Sequence, residues 1–246
     1  MIATLITLLT GHALGDFVFQ TGTMVARKRS PSILLAHVAV VTAITAAALG
    51  TLHWPVLVAI CLSHAAMDAV KAYALRATAG AFLLDQSVHV AVIVALAIAY
   101  PTATAHGVWP AWLGAAAYVD LLRAEVIAVG LIAAVLAGGI LIGMLMEPLA
   151  AQLEESQSPA GGLDNGGRYI GWLERAVVML LFLSGQGGAV GFVIAAKSIL
   201  RFGEINSAAQ RRLAEYILIG TFMSFGWSLL CAMLTSRGLA AAGAGP

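Results

Sequence analysis

The chain has 246 residues, 61% hydrophobic and 10% charged, with a formal net charge of +1. A soluble domain carries about 25% charged residues, so this composition excludes a soluble globular protein and points to a chain that crosses a membrane several times. The near-neutral charge gives no basis for nucleic-acid binding, and the two cysteines, Cys61 and Cys231, both in apolar stretches, exclude a disulfide framework.

In chain order, the apolar stretches are 2–22, 32–52, 54–76, 82–100, 122–146, 169–185 and 214–235. A shorter one, 188–200, either crosses or pairs with 169–185 as a re-entrant hairpin. The first stretch lacks a basic leader and a cleavage site and reads as a retained span. The runs are long and unbroken, whereas barrel strands would alternate at every second residue. The expected fold class is therefore all-α, a polytopic transmembrane helical bundle of about 7–8 helices. The polar stretch 147–168, rich in Gly, Pro, Ser and Asn, reads as a cytoplasmic linker. It separates an N-terminal bundle, 1–146, from a C-terminal hairpin plus last span, 169–236. The tail 237–246 is expected to be disordered.

Basic residues set the orientation. One set of connections holds Arg27, Lys28 and Arg29, then Lys71 and Arg76, then Arg168, Arg201, Arg211 and Arg212, whereas the opposite connections are free of them up to residue 121. This predicts an N-terminus outside and basic connections in the cytoplasm.

The apolar spans carry groups that lipid does not tolerate cheaply. "GHALGDFVFQ" (11–20) holds His12, Asp16 and Gln20 at four-residue spacing. "SHAAMDAVK" (63–71) repeats the pattern with His64 and Asp68, and "LLDQSVH" (83–89) inverts it with Asp85 and His89. His37 stands alone in the second span. Four-residue spacing stacks side chains one helical turn apart on one face. Counted from the basic end at about 1.5 Å per residue, all seven groups fall in one slab roughly 12 Å thick. Ionisable residues at this depth point to function. Three carboxylates alone would repel, whereas a divalent transition ion neutralises them and accepts imidazole nitrogen, with Zn the first choice and Mn or Fe the alternatives. The expected metal ligands are His12, Asp16, His64, Asp68 and His89, with Asp85 or His37 as a remaining ligand or the general base. Gln20 and Gln86 are placed to orient ligands. Lys71 either pairs with Asp68 or snorkels inward, to the cytoplasmic interface. A metal-free polar or proton-conducting network stays open as the alternative.

The C-terminal half has its own polar set. Glu174 and Lys197 lie at similar depth and read as an intramembrane ion pair, while Arg175, Lys197 and Arg201 could instead hold an anionic headgroup. Gly167/Gly171 and Gly187/Gly191 are pairs spaced for close helix packing.

The quoted motifs, with "GRYIGWLERAVVM" (167–179) and "EYILIGTFMSF" (215–225), resemble a family of uncharacterised multi-spanning bacterial membrane proteins known only as a domain of unknown function. The resemblance runs from about residue 8 to 230, with 101–165 variable. It implies a bacterial inner membrane and no activity. The H-x-x-x-D style is also similar to that of membrane-bound metal-dependent hydrolases. The expected function is a metal-dependent hydrolase acting on a lipid or lipid-linked substrate near the cytoplasmic leaflet. The alternative is a divalent-cation or proton transporter using the same cluster.

Overall fold

The computed structural model describes residues 1–154, 165–202 and 208–243, and among them the chain is helical with no strand. Helix α1 (Ile2–Ala13) runs into a π-helical turn, Leu14–Val18, closed by the Phe19 amide donating to the Leu14 carbonyl. A short helix, α2 (Gly22–Ala26), follows, capped by the Thr21 hydroxyl. Next come α3 (Pro31–Leu49), α4 (Trp54–Ala74) and α5 (Ala79–Ala99). Proline in the first turn starts α3 and α4, where the missing amide has no partner to lose. Gly50, at φ 65°, ends α3 in the left-handed region, and Trp109 packs where a Cβ would stand.

Helix α6 (Val108–Ile132), broken at Gly114, leads into a second π-helical turn, Ala133–Ala137, and then α7 (Gly138–Glu154). Helices α8 (Gly166–Leu183), α9 (Ala189–Phe202) and α10 (Ala208–Gly243) complete the chain. Among the described residues, five helical stretches are long and apolar enough to cross a membrane: Pro31–Leu49, Trp54–Ala74, Ala79–Ala99, Val108–Ala151 and Arg211–Gly243. Ile2–Val18 and Ala189–Ile199 are shorter apolar helices.

Several boundaries differ from those read in the sequence. Helix α6 already begins in the stretch expected to connect two spans. Helix α7 extends through Glu154 and α8 starts at Gly166, so both ends of the expected 147–168 linker are helical, while 155–164 lie outside the described residues. The chain divides into two compact units at Ile132, not at residue 146. The first is Met1–Ile132 with the chain end from Arg237; the second is Ala133–Ser236. Residues 237–243, expected to be disordered, are the last turns of α10. They pack on α6: Ala242 joins Ile6, Leu122 and Val126 in one apolar cluster, and a Cβ on Gly238 would lie 2.9 Å from Val126 Cγ1. The Ala- and Gly-rich composition that suggested disorder suits close packing between helices equally well.

In the first unit α1 packs against α3, α5 and α6, and α3, α4 and α5 follow one another. Glycine sets the distance between α1 and α3. A Cβ on Gly11 would lie 2.5 Å from Thr45 Oγ1 and 2.9 Å from Thr45 Cα, and one on Gly15 would lie 2.8 Å from Val41 Cγ2. The close-packing glycines are thus Gly11 and Gly15. Of the pairs expected to play this part, Gly167 and Gly191 face open space, Gly171 meets only Arg175 of its own helix, and Gly187 makes one ordinary contact with Phe182. An apolar layer of Leu8, Val41, Val56, Ile60, Ile93 and their neighbours fills the interior on one side of the polar slab.

In the second unit Ala134, Met179, Cys231 and Ala232 form one cluster, and Val178, Val190 and Phe225 another. The π-helical turn frees backbone carbonyls, and side chains satisfy them. Trp227 Nε1 donates to the Ala133 carbonyl at 2.9 Å, and Arg175 Nη2 donates to the Val135 carbonyl at 3.2 Å. Lys197 Nζ stands 2.6 Å from Glu174 Oε1 and donates to Oε2 at 2.8 Å.

Two outcomes follow. Gly11→Val should lower the thermal midpoint in detergent by an amount equivalent to about 1–3 kcal/mol, because the clash is with Thr45 backbone, which cannot rotate away; an unchanged midpoint would refute the close approach. Glu174→Gln and Lys197→Met should each lower stability alone, and the double variant should recover part of that loss, because a single loss leaves a charge unpaired. A double-mutant cycle with no coupling would show that the pair carries no interaction energy.

Candidate metal centre

The π-helical turn aims Asp16 into the interior of the first unit, next to the close contact that Gly11 and Gly15 make with α3. π-Helical turns of this kind recur at functional sites. His37 on α3, His64 and Asp68 on α4, and Asp85 and His89 on α5 face the same point. His37, His64, Asp68 and Asp85 are each no more than 2% exposed.

At the centre, His37 Nε2 and His64 Nε2 lie 3.2 Å apart. Asp16 Oδ1 is 3.3 Å from each of them. Asp68 Oδ2 is 3.4 Å from His37 Nε2 and 3.7 Å from His64 Nε2. Two triangles of ligand atoms thus share the His37–His64 edge. The His64 and His89 ring centroids are 4.3 Å apart, and His12 stacks on His89 at 5.1 Å. Ligand atoms of His12, Asp16 and His64, and of Asp68, Asp85 and His89, likewise lie within 4.8 Å of one another.

Hydrogen bonds fix which atoms are acceptors. Gln86 Nε2 donates to Asp85 Oδ2 at 3.0 Å, which turns Gln86 Oε1 toward His12 Nε2 at 3.2 Å. His12 Nε2 is therefore the protonated nitrogen, and its Nδ1 lone pair faces Asp16 Oδ2 across 3.6 Å. His89 Nδ1 donates to the Asp85 backbone carbonyl at 2.7 Å, leaving Nε2 with a lone pair. Gln20 Nε2 lies 3.0 Å from His37 Nε2. Asp16 Oδ1, Asp68 Oδ2, Asp85 Oδ1, His12 Nδ1 and His89 Nε2 are all buried and receive no hydrogen bond. Carboxylate oxygens and bare imidazole nitrogens face one another here, an arrangement that either a proton or a cation would satisfy.

Two cations come from the protein. Lys28 Nζ pairs with Asp68 Oδ1 at 2.7 Å, and Lys71 pairs with Asp85. Of the two expectations for Lys71, neither describes its partner: it bonds Asp85, because α5 brings that carboxylate alongside the end of α4. Lys28 was read only as an orientation signal. It sits in a connection without helical period, so no spacing links it to Asp68. It is positioned by Arg29, whose Nε donates to the Ala72 carbonyl at 3.1 Å and whose own carbonyl accepts from Tyr73 Oη at 2.7 Å. Asp16 has no lysine or arginine partner among the described residues.

The structure thus brings together all the residues read as ligands, bases or orienting groups: His12, Asp16, Gln20, His37, His64, Asp68, Lys71, Asp85, Gln86 and His89. Asp85 and His37, singled out as base candidates, are engaged respectively by Lys71 and by the central triangles. The C-terminal polar residues form a separate group in the second unit. There Glu174 and Lys197 pair, while Arg175 is 4% exposed and donates through Nη1 to Ser224 Oγ at 3.1 Å. The side chain of Arg201 lies outside the described residues.

A cavity of about 10 Å³, the size of one water, touches His12, His64 and His89 on one side and Leu8, Val41, Ile60 and Ile93 on the other. No curated protein and no solved structure matches the chain. The resemblance read from the motifs extended to about residue 230, whereas the matched region ends at 113. Residues 4–113, which hold every residue of the cluster, match the family model for DUF3307, described as a protein of unknown function.

Proposed function

We propose that the first unit is a metal-dependent membrane hydrolase, with zinc at the His/Asp cluster and a lipid or lipid-linked substrate. One observation carries the reading. His37 and His64 Nε2 lie 3.2 Å apart, and Asp16 Oδ1 and Asp68 Oδ2 each lie 3.3–3.7 Å from both of them. Ligand atoms at 2.0–2.1 Å from a tetrahedral zinc ion lie roughly 3.3 Å from one another. Mixed imidazole and carboxylate donors suit zinc, with manganese or iron as alternatives. Each triangle, His37 and His64 with Asp16 or with Asp68, has the edge lengths of three ligands on one zinc ion, so a divalent ion would satisfy both imidazoles and a carboxylate together.

Zinc bound here would supply Lewis acidity and a water acidic enough to ionise near neutral pH. The protein's own groups do the rest. Gln86 holds His12 in one tautomer, and the Asp85 carbonyl does the same for His89. Lys71 occupies Asp85, which leaves His89 Nε2, with its bare lone pair beside the water-sized cavity, as the proton acceptor. The apolar layer around Leu8 and Ile60 keeps bulk water from that side.

The transport reading is weaker. The same apolar layer lies directly beyond His12, with Leu8 one turn away on the same face of α1. One observation favours transport: Thr4, Thr7 and Thr10 are buried along α1, and Thr7 Oγ1 lies 3.4 Å from Glu125 Oε2. These hydroxyls are engaged elsewhere: Thr7 faces Glu125 of α6, Thr4 Oγ1 donates to the Pro101 carbonyl at 3.0 Å and Thr10 Oγ1 to the Ile6 carbonyl at 3.0 Å. The basic connections further support a cytoplasmic placement for the cluster's open end, with the N-terminus outside, as in a bacterial inner membrane.

Purified protein is expected to contain about one zinc per chain by elemental analysis, and Asp16→Asn and His64→Ala should each remove most of it while the protein remains inserted. Full metal retention in both variants would overturn the assignment. Orientation is tested separately by single cysteines on a Cys61→Ser, Cys231→Ser background. A cysteine at His53 should react with an impermeant reagent on intact cells and one at Thr23 should not; the reverse pattern would put the site in the outer leaflet.

A further inference from the structure

We propose that the cluster receives a phosphate group, held between Lys28 and Lys71 as well as by the metal. The inference rests on the metal reading and adds the chemistry of the substrate. Charge carries the first part. Asp16, Asp68 and Asp85 bring three negative charges, Lys28 and Lys71 two positive ones, and a divalent ion two more. With neutral imidazoles the loaded site is left with one excess positive charge among side chains buried in an apolar bundle. Hydroxide from the bound water would offset that charge while the site is free of substrate; a ligand that takes its place must itself be anionic to do the same, which a neutral ester or amide is not.

Geometry carries the second part. The Lys28 and Lys71 side chains are 15% and 29% exposed, while the Asp68 and Asp85 side chains they meet are each 1% exposed. Their ammonium groups therefore stand at the mouth, between the buried ligands and the outside. Asp68 and Asp85 ligand atoms come within 4.8 Å of each other, which puts the two lysine–carboxylate pairs next to one another. Beyond them Arg27, Arg29 and Arg76 are exposed. No acidic residue occurs from Phe17 to Met67 or from Ala69 to Leu84 to neutralise this rim. A metal and two ammonium groups offer three separate cationic contacts. A tetrahedral phosphate presents an oxygen to each, while a carboxylate has only two oxygens in one plane. Exposed Phe19, Val25 and Tyr73 at the same end give the rim an apolar margin, as a lipid-borne phosphate would need.

The test uses zinc-loaded full-length protein in detergent, with zinc content measured first. The probes are inorganic phosphate, and phosphatidic acid in mixed micelles against phosphatidylcholine micelles. At least one phosphate probe should bind, roughly tenfold or more weakly in Lys28→Gln and Lys71→Gln, with recovery in Lys28→Arg and Lys71→Arg. Binding of phosphatidic acid alone assigns a lipid headgroup; equal binding of both probes assigns a free phosphate. Zinc-loaded protein that binds neither probe, or Gln variants that bind as the parent does, would overturn the clamp and leave the metal reading standing. If one Gln variant fails to fold, the other decides. Absence of zinc from the parent protein would instead overturn the metal reading, and the clamp with it.

Discussion

Three carboxylates buried among apolar helices set the terms for the whole first unit. In lipid or in a dry interior each needs a positive partner or a proton, and an unpaired charge there costs several kcal/mol. Lysines answer for Asp68 and Asp85. Asp16 is left facing two imidazole nitrogens at 3.3 Å. The imbalance is built into the backbone. Gly11 and Gly15 let α1 sit hard against α3, and the π-helical turn that follows directs Asp16 toward His37 rather than along the helix surface. A side chain at either glycine would separate the helices and pull the carboxylate away from its neighbours.

The groups around the centre form a hierarchy. Lys71 and Gln86 fix Asp85; Gln86, so oriented, fixes His12; the Asp85 carbonyl fixes His89. Each link removes a rotational or tautomeric choice, so the acceptor atoms converge before anything binds. Preorganisation of this kind is what metal sites and catalytic sites have in common. The apolar layer on one side and the lysines on the other make the centre one-sided.

The second unit solves a different problem with similar means. Its π-helical turn exposes carbonyls that lipid cannot satisfy, and Arg175 and Trp227 donate to them. Glu174 and Lys197 neutralise each other. These polar residues are spent on backbone and on one another, so an intramembrane arginine need not mark a ligand site.

Composition and periodicity alone made the all-helical, membrane-type architecture legible, because a 20-residue apolar run has few other fates. The i, i+4 spacing of His12/Asp16, His64/Asp68 and Asp85/His89 likewise located the cluster, since spacing of this kind fixes a shared helical face whatever the tertiary fold. Lys28 was invisible as a site residue, and the partner of Lys71 was undetermined, because loop conformation and helix-to-helix registry are not encoded in the period of any one helix. Neither π-helical turn was foreseen, for a five-residue closure looks like ordinary helix in sequence. The tail from Arg237 was misread because alanine and glycine carry no directional signal: they suit a disordered end and a close-packed helix alike, and only the presence of Val126 at 2.9 Å from the Gly238 Cβ position decides between them.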